Sequence, residues 1–466
     1  MAKIRKLALT SIAAGAMFVA AGSATAEAPE PTPTFDDVTV TVALHSGAFE
    51  LAWAVHKEQI KALYGINMEI VGIPVNELFD KEILELSMGS GAFDLVQFNP
   101  GWMGDYVDFL EPLDPYMERW DPAWEDVHEG FRVWENTYQG TRYTLTMDGD
   151  ILFTYYNSDV YENPEEQAAF KEKYGYDLAP PATWDQVVDI QEFFRRDTDG
   201  DGEIDSWGYS DPIIKRGRGF YSFLLRYINY AGSNPQYMDP ETMVPLINNE
   251  AGVQALENYK RTIELGPPGM LSWEWDEAHA AFMQGRVQTL VHWPDEGLMT
   301  DLYTANTGAE MGFAKMPGAI VGGEKMERTM TGGGWIIGMS RDSQNKEAAY
   351  TLLRHVLSPE VSLHLVLMPG TDIFRTSQFN HPVIKKIAPA KYLEVYQESI
   401  SDNFPELRIP GGFEYYDALD VAVQKALAGE LSVKEALDEA AANWEEITDR
   451  IGRDEQRAAY KAAMGL

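Results

Sequence analysis

Val38, Val40, Val42 and Leu44 alternate with Thr39, Thr41 and Ala43, the two-residue period of a strand with one covered face. The next segment, Ala52 to Leu63, has helical spacing and stops near Gly65. Asn67 to Val71 and Asp94 to Phe98 are read as further short strands, with a helix over about Lys81 to Met88 between them. Strand and helix alternate, which predicts an α/β sheet of parallel strands with right-handed crossovers.

The same pattern returns downstream. Thr183 and Gln186 have capping-box spacing just after Pro180-Pro181 and predict a helix to about Arg196. Ser358 followed by Pro359 is a second helix start, with proline at the first helical position. Ser432 and Glu435 form another capping box, after which Val433, Leu437, Ala440, Trp444, Ile447 and Ile451 recur every three or four residues. No repeat period is present, so a compact fold is expected rather than an array.

The amino terminus adds a location. Lys3, Arg5 and Lys6 precede an apolar run from Leu7 to Ala21, and Ala24-Thr25-Ala26 supplies the small residues of a cleavage site, so residues 1–26 are read as a signal peptide. Residues 27–36 are expected to be a flexible leader. With no cysteine, neither a disulfide nor a lipid-anchored cleavage point is available, and release into a periplasm is expected. After cleavage 34 basic residues face 73 acidic ones, a net charge of −39 that disfavours nucleic acid and anionic lipid.

From Asp197 to Asp205 oxygen-bearing residues alternate around Gly200 and Gly202. Hard cations take such oxygens, and the pattern nominates Asp197, Asp199, Asp201, the carbonyl of Glu203, and Asp205 as ligands of a structural calcium ion. An EF-hand has a bidentate Glu at the twelfth position, where this chain has Gly208, which makes the loop resemble shortened calcium staples.

Nucleophile elbows, zinc-protease helices, phosphate loops and dinucleotide fingerprints are all missing from the sequence. The eight histidines have no metal-ligand spacing. Twelve Trp and 23 Tyr, in an exported chain, point to sugar rings stacked on aromatic faces with carboxylates and amides taking the hydroxyls.

Several segments in order resemble the extracellular solute-binding proteins of ABC importers, the large sugar-binding group of maltose-binding-protein type. Gly140 to Tyr143, on through Asp150 to Asp159, resembles the strand that leads into the family's YN-acidic segment. Pro181 to Asp185 resembles its P-x-T-W-D helix start, and Gly285 to Trp293 its G-x-aliphatic…W segment. Thr331 to Gly338 is similar to its Gly-Gly strand, and Ile409 to Tyr416 and Ala428 to Trp444 to its closing helices.

The resemblance implies a two-lobed periplasmic-binding-protein fold of type II, with a ligand cleft between lobes joined by three hinge crossings. They are placed near Asp148 to Leu152, Tyr303 to Thr307, and Met368 to Asp372. Lobe 1 is then 37–149 plus 306–368, and lobe 2 is 150–305 plus 369–466. The resemblance places His45, Ser46, Asn99, Trp102, Asp150, Tyr221, Trp293, Trp335 and Tyr416 in the cleft. The first loop has His45, Ser46 and Gly47 where the family has acidic and basic residues, so the sugar is left open.

The expected function is non-enzymatic: capture of a carbohydrate or polyol by a monomer and delivery to an ABC permease. Two other readings stay open. Ferric iron or another non-sugar solute would use the same fold, with Tyr155, Tyr156, Tyr415 and Tyr416 as phenolate ligands, and a secreted glycosidase would also be rich in Trp and acids.

Overall fold

In a computed structural model of the protein, residues 30–211, 219–332, 334–368 and 370–466 are described. Residues 1–26, read above as a signal peptide, and the start of the expected leader lie outside them. Among the described residues no helix is long and apolar enough to cross a membrane.

The alternating segment that opens the chain forms β1 (Val38–His45), with Val40, Val42 and Leu44 wholly buried. It pairs in parallel with β2 (Ile66–Ile73) from Val38↔Ile66 to His45↔Ile73, and with β3 (Leu95–Phe98) at Val42↔Leu95. The helices Ala48–Ala54, Lys57–Tyr64 and Val75–Ser87 make the connections. The single helix expected over Ala52 to Leu63 is therefore two. The break turns His56 inward, where it is buried and stacks on His364 with ring centroids 6.2 Å apart.

The sheet is mixed rather than parallel throughout. Two later strands, β4 (Thr144–Thr146) and β5 (Phe153–Asn157), go to different sheets: β4 joins the first at its edge, whereas β5 is the centre of a second. β5 is flanked by antiparallel β6 (Thr289–His292) and β7 (Met311–Ala314). β8 (Ile336–Met339) then returns to the first sheet, antiparallel to both β3 and β4, giving the order β2-β1-β3-β8-β4. A strand that arrives from far downstream is not bound by the crossover rule that makes β1, β2 and β3 parallel.

These pairings correct the second crossing. The segment expected to cross, Tyr303 to Thr307, is inside the helix Thr300–Thr307, and β7 after it still pairs with β5. The chain returns to the first sheet only between residues 327 and 335. Residues 306–368 thus do not form one block with β1 to β3, because the backbone groups of β7 are satisfied by β5. The chain passes from the first sheet to the second between Thr146 and Phe153.

The capping signals hold. Thr183 Oγ1 accepts from Gln186 N at 3.2 Å to start the helix Trp184–Phe194, Ser358 caps Pro359–Val366, and Ser432 and Glu435 make a reciprocal box at the start of Val433–Ile451. Buried residues gather in two main clusters, one around the first sheet and β5, the other around the helices Gly219–Tyr230, Glu250–Glu264, Gly412–Leu427 and Val433–Ile451.

At the first crossing the backbones of two segments nearly touch. A Cβ on Gly149 would lie 2.0 Å from the carbonyl oxygen of Ile373, and the Tyr396 hydroxyl is shared by the carbonyls of Gly149 and Ile373, the latter at 2.7 Å. Gly149→Ala is expected to destabilise the protein by about 1–3 kcal/mol, the usual range for overpacking, measured by urea unfolding; unchanged stability would show that the two segments separate freely.

Candidate functional site

The order of the first sheet sets the ends of β1 and β3 beside the residues that lead into β8. His45, the last residue of β1, stacks on Trp335 with centroids 5.5 Å apart at 29°, and Phe49 meets Trp335 edge-on at 5.9 Å. Trp102, just past β3, meets Trp335 at 6.5 Å and 86°. Ser46 is beside them, its N–H spent on the Ile73 carbonyl at 2.9 Å. In α/β proteins the carboxyl ends of parallel strands are where ligands bind.

A polar group adjoins these rings. Asn99 Oδ1 accepts from Gly101 N at 2.8 Å and from the Tyr221 hydroxyl at 3.4 Å. The same hydroxyl reaches Glu406 Oε2 at 2.9 Å, and Thr331 Oγ1 donates to Glu406 Oε1 at 2.6 Å. Tyr416 accepts from Leu407 N at 2.7 Å and stacks on Phe220 at 4.5 Å. Gly101 permits the approach, since a Cβ there would lie 2.6 Å from Glu406 Oε2 and 2.8 Å from the Tyr416 ring.

Charge is concentrated nearby. Glu135 is buried, accepts from Thr146 Oγ1 at 3.3 Å, and is pushed well above the usual carboxylate range by burial, with Glu406, Asp150 and Asp148 adding to the effect. Burial lowers the Arg408 guanidinium to about 10 while Glu135 and Glu406 oppose that shift. Asp150 is buried with Asp148 and Asp372, and one oxygen from each lies within 4.8 Å of the others. Burial raises Asp372, helped by Asp295, Asp148 and Asp150.

Trp293 follows β6. Its Nε1 donates to the Thr331 carbonyl at 3.1 Å and its own carbonyl accepts from the Tyr155 hydroxyl at 2.7 Å. The residues nominated from the sequence are thus distributed over three adjoining groups: His45, Ser46, Trp102 and Trp335; Asn99, Tyr221 and Tyr416; and Asp150 and Trp293, which lie against Gly334 and Thr331 respectively. Gly334 connects the last two to Glu135, because a Cβ there would be 3.3 Å from Asp150 Cβ and 3.5 Å from Glu135 Oε1. Glu406, Arg408 and Glu135 were missed. Glu406 and Arg408 alternate with buried Leu407 and Ile409, a pattern of charges pointing away from one apolar face that the sequence did display.

The sequence profile of the family described as bacterial extracellular solute-binding protein matches residues 52–362. The chain belongs to that family. Its function is solute binding rather than catalysis. A probable amino-acid ABC transporter periplasmic-binding protein of Sinorhizobium fredii is 25% identical over 351 residues, covering 73% of each chain. Among solved structures, a solute-binding protein of Agrobacterium radiobacter K84 in complex with ribitol matches with TM-score 0.73 at 21% identity, covering 89% of this chain and all of that one. One from Agrobacterium vitis S4 with bound D-mannitol matches at TM-score 0.71, 20% identity and 89% and 99% coverage. A maltose-bound protein of T. maritima matches at 0.70, 21% identity and 88% and 100% coverage.

Within this solute-binding protein the four tyrosines considered for iron are not gathered. Tyr155 donates to Trp293, Tyr415 pairs with Thr448 Oγ1 at 2.8 Å, and Tyr416 serves Leu407. Tyr156 projects beside Tyr161, in another cluster.

In the acidic loop, Asp197, Asp199 and Asp205 each bring an oxygen within 4.8 Å of the other two. Asp197 accepts from Gly200 N and Gly202 N at 2.7 and 2.8 Å, and those donors hold it below the usual carboxylate range. Asp201 is not in the group of three; it accepts from Glu203 N at 2.8 Å. Gly208 packs on the helix Trp184–Phe194, where a Cβ would sit 2.1 Å from the Ile190 carbonyl oxygen, so a twelfth-position glutamate has no room.

Asp105 ties the short helix Met103–Tyr106 to the start of the helix Gly412–Leu427, accepting from Gly411 N at 2.6 Å and Phe413 N at 3.0 Å, while Phe79 stacks on Phe413 at 4.0 Å. Burial pushes its carboxyl up to about 6 from 3.8, against the two N–H donors. The folded chain therefore holds more protons than the unfolded chain between those values, and the contribution of Asp105 to stability falls as pH rises through that window. The advantage of wild type over Asp105→Asn in urea unfolding is expected to be larger at pH 4.5 than at pH 7; the opposite slope would show the donors outweighing burial.

Proposed function

We propose that this solute-binding protein is the periplasmic capture component of an ABC importer and delivers a carbohydrate or polyol to a membrane permease. The observation that carries the reading is the meeting of His45, Trp102 and Trp335 at the carboxyl ends of β1 and β3, beside the carboxylates of Asp150 and Glu406. Flat rings offer faces to the C–H side of a sugar, and fixed carboxylates accept its hydroxyls through charge-assisted hydrogen bonds. The ribitol, mannitol and maltose in the similar structures support the same class.

In this reading His45, Ser46, Asn99, Trp102, Asp150, Tyr221, Trp293, Trp335 and Tyr416 line the cleft, joined by Glu406 and Glu135. Two lobes built on the two sheets close over the ligand as a monomer, and the permease takes the closed form by differential affinity. Export follows cleavage after Ala26. The printed name of the Sinorhizobium relative favours a second cargo, an amino acid, whose ammonium group would pair with the same carboxylates.

Calcium at Asp197, Asp199 and Asp205 completes the proposal, with the carbonyl of Glu203 and Asp201 as further ligands after a small loop movement. Three hard oxygens converging on one point suit that ion and a structural role.

Calorimetric titration and thermal shift of the mature protein against sugars, alditols and amino acids test the cargo, because a ligand that binds only the folded state raises the melting temperature. A shift with a sugar or polyol is expected; a shift with amino acids alone would replace the carbohydrate reading. For the metal, added calcium should raise the melting temperature of wild type and leave Asp197→Asn/Asp199→Asn unmoved, whereas no effect of calcium or chelator on wild type would dismiss the ion.

A further inference from the structure

β6 ends at His292, and the chain then runs through Trp293 and Pro294 to two adjacent acids, Asp295 and Glu296. Tyr155 donates to the Trp293 carbonyl at 2.7 Å and Tyr392 to that of Pro294 at 2.9 Å, which fixes the backbone on the way. His292 and Glu296 are wholly buried. Glu296 Oε1 lies 2.5 Å from Nδ1 of His279, on the helix Trp275–Met283, and 3.1 Å from Nδ1 of His292. Trp275 covers both imidazoles, stacking on His279 at 4.8 Å and 8° and meeting His292 at 5.3 Å and 51°. The His279 side chain keeps 19% exposure, so solvent protons reach the group through it.

Carboxylates outnumber cations here. Glu296 Oε2 and Asp295 Oδ1 are buried without a hydrogen-bond partner, and among the described residues no Lys or Arg forms an ion pair with either acid. The other titratable groups that face them are Asp276 on the helix of His279, Asp148 at the first crossing, Tyr155 of β5 and Tyr392 of the helix Ala390–Ser401. None of these can carry a positive charge, which must therefore come from a proton on an imidazole. Burial opposes that proton at His279, but the hydrogen bond to Glu296 and the charges of Glu296, Asp295 and Asp276 outweigh burial and hold the imidazole above its ordinary 6.5. Burial raises Glu296, and burial with Glu296 and Asp148 brings Asp295 up to about 8. All three shifts have one sign. The stabilisation from His279 is complete below 6.5 and is lost as pH rises through its higher folded value, and the two acids lose stability in the same direction.

We propose that His279, Glu296 and Asp295 form a proton-operated latch, which holds the helix Trp275–Met283 on the segment that carries Trp293 in mildly acidic surroundings and releases it in alkaline ones. With an imidazolium present, Glu296 has a counter-ion beneath the Trp275 ring. When that proton leaves, two adjacent buried carboxylates repel each other with no cation between them. Trp293 Nε1 donates to the Thr331 carbonyl at 3.1 Å, so movement at the latch is passed to one wall of the proposed cleft. This latch goes beyond the capture reading and is independent of the cargo.

Hydrogen exchange of the full mature protein at pH 6.0 and pH 8.5, corrected for intrinsic rates, tests the latch. In wild type the protection of residues 275–296 is expected to fall about tenfold at the higher pH, the factor that one unit of pKa shift represents, while the helix Val433–Ile451 keeps its protection. Glu296→Gln removes the charge and keeps the shape, so its protection should change less than about threefold. Equal wild-type protection at the two pH values would overturn the latch without need of a variant, and so would an equal fall in Glu296→Gln. A carbon-13 histidine titration gives a second readout: His279, assigned by its absence in His279→Gln, is expected to titrate above 6.5 in wild type and lower in Glu296→Gln. A wild-type midpoint at or below 6.5 would overturn the proposal.

Discussion

Two segments of the chain approach closely at Gly149 and Ile373, and the Tyr396 hydroxyl donates to both carbonyls. Everything on either side depends on this approach. It brings Asp372 N within 2.6 Å of Asp148 Oδ1, fixes the start of β5 and so the second sheet, and orders Asp148, Asp150 and Asp372 as a buried acidic group. A side chain at position 149 would hold the segments apart. The absence of one lets backbone polar groups that would be orphaned at a chain crossing be satisfied by a phenol.

Buried charge follows from that geometry. Desolvation dominates at Glu135, Asp372, Asp105 and Arg408, all displaced toward their neutral forms. Asp211 is the contrast, because Arg226 forms an ion pair with it at 2.9 Å and both are almost wholly buried. In the first kind burial favours the neutral form, reached by gain of a proton at the carboxylates and by loss of one at Arg408. The second kind is held in place by its partner, Arg226 Nη2 donating to Asp211 Oδ2.

The alternation from Val38 to Leu44, the caps at Thr183, Ser358 and Ser432, and the three acids of the 197–205 loop could all be read in order, since each depends on residues close in sequence. The helix break at Val55 and His56 could not, because His56 packs on His364, 308 positions away. Nor could the antiparallel direction of β8, or the second crossing lying past β7, since both depend on which strand edge was left open.

The site divides along the same line. Its aromatic members were visible in sequence through their resemblance to a family, and His45, Trp102 and Trp335 do meet. Glu135 and the Asp211–Arg226 pair emerged only from packing, whereas Glu406 and Arg408 stood in an alternating pattern whose burial was decided by packing. Sequence by itself determined the local elements, the acidic charge and the family, because those depend on neighbours a few residues apart. Tertiary structure alone decided which carboxylates are buried and which gain an ion-pair partner, because that depends on desolvation and on partners brought from distant segments.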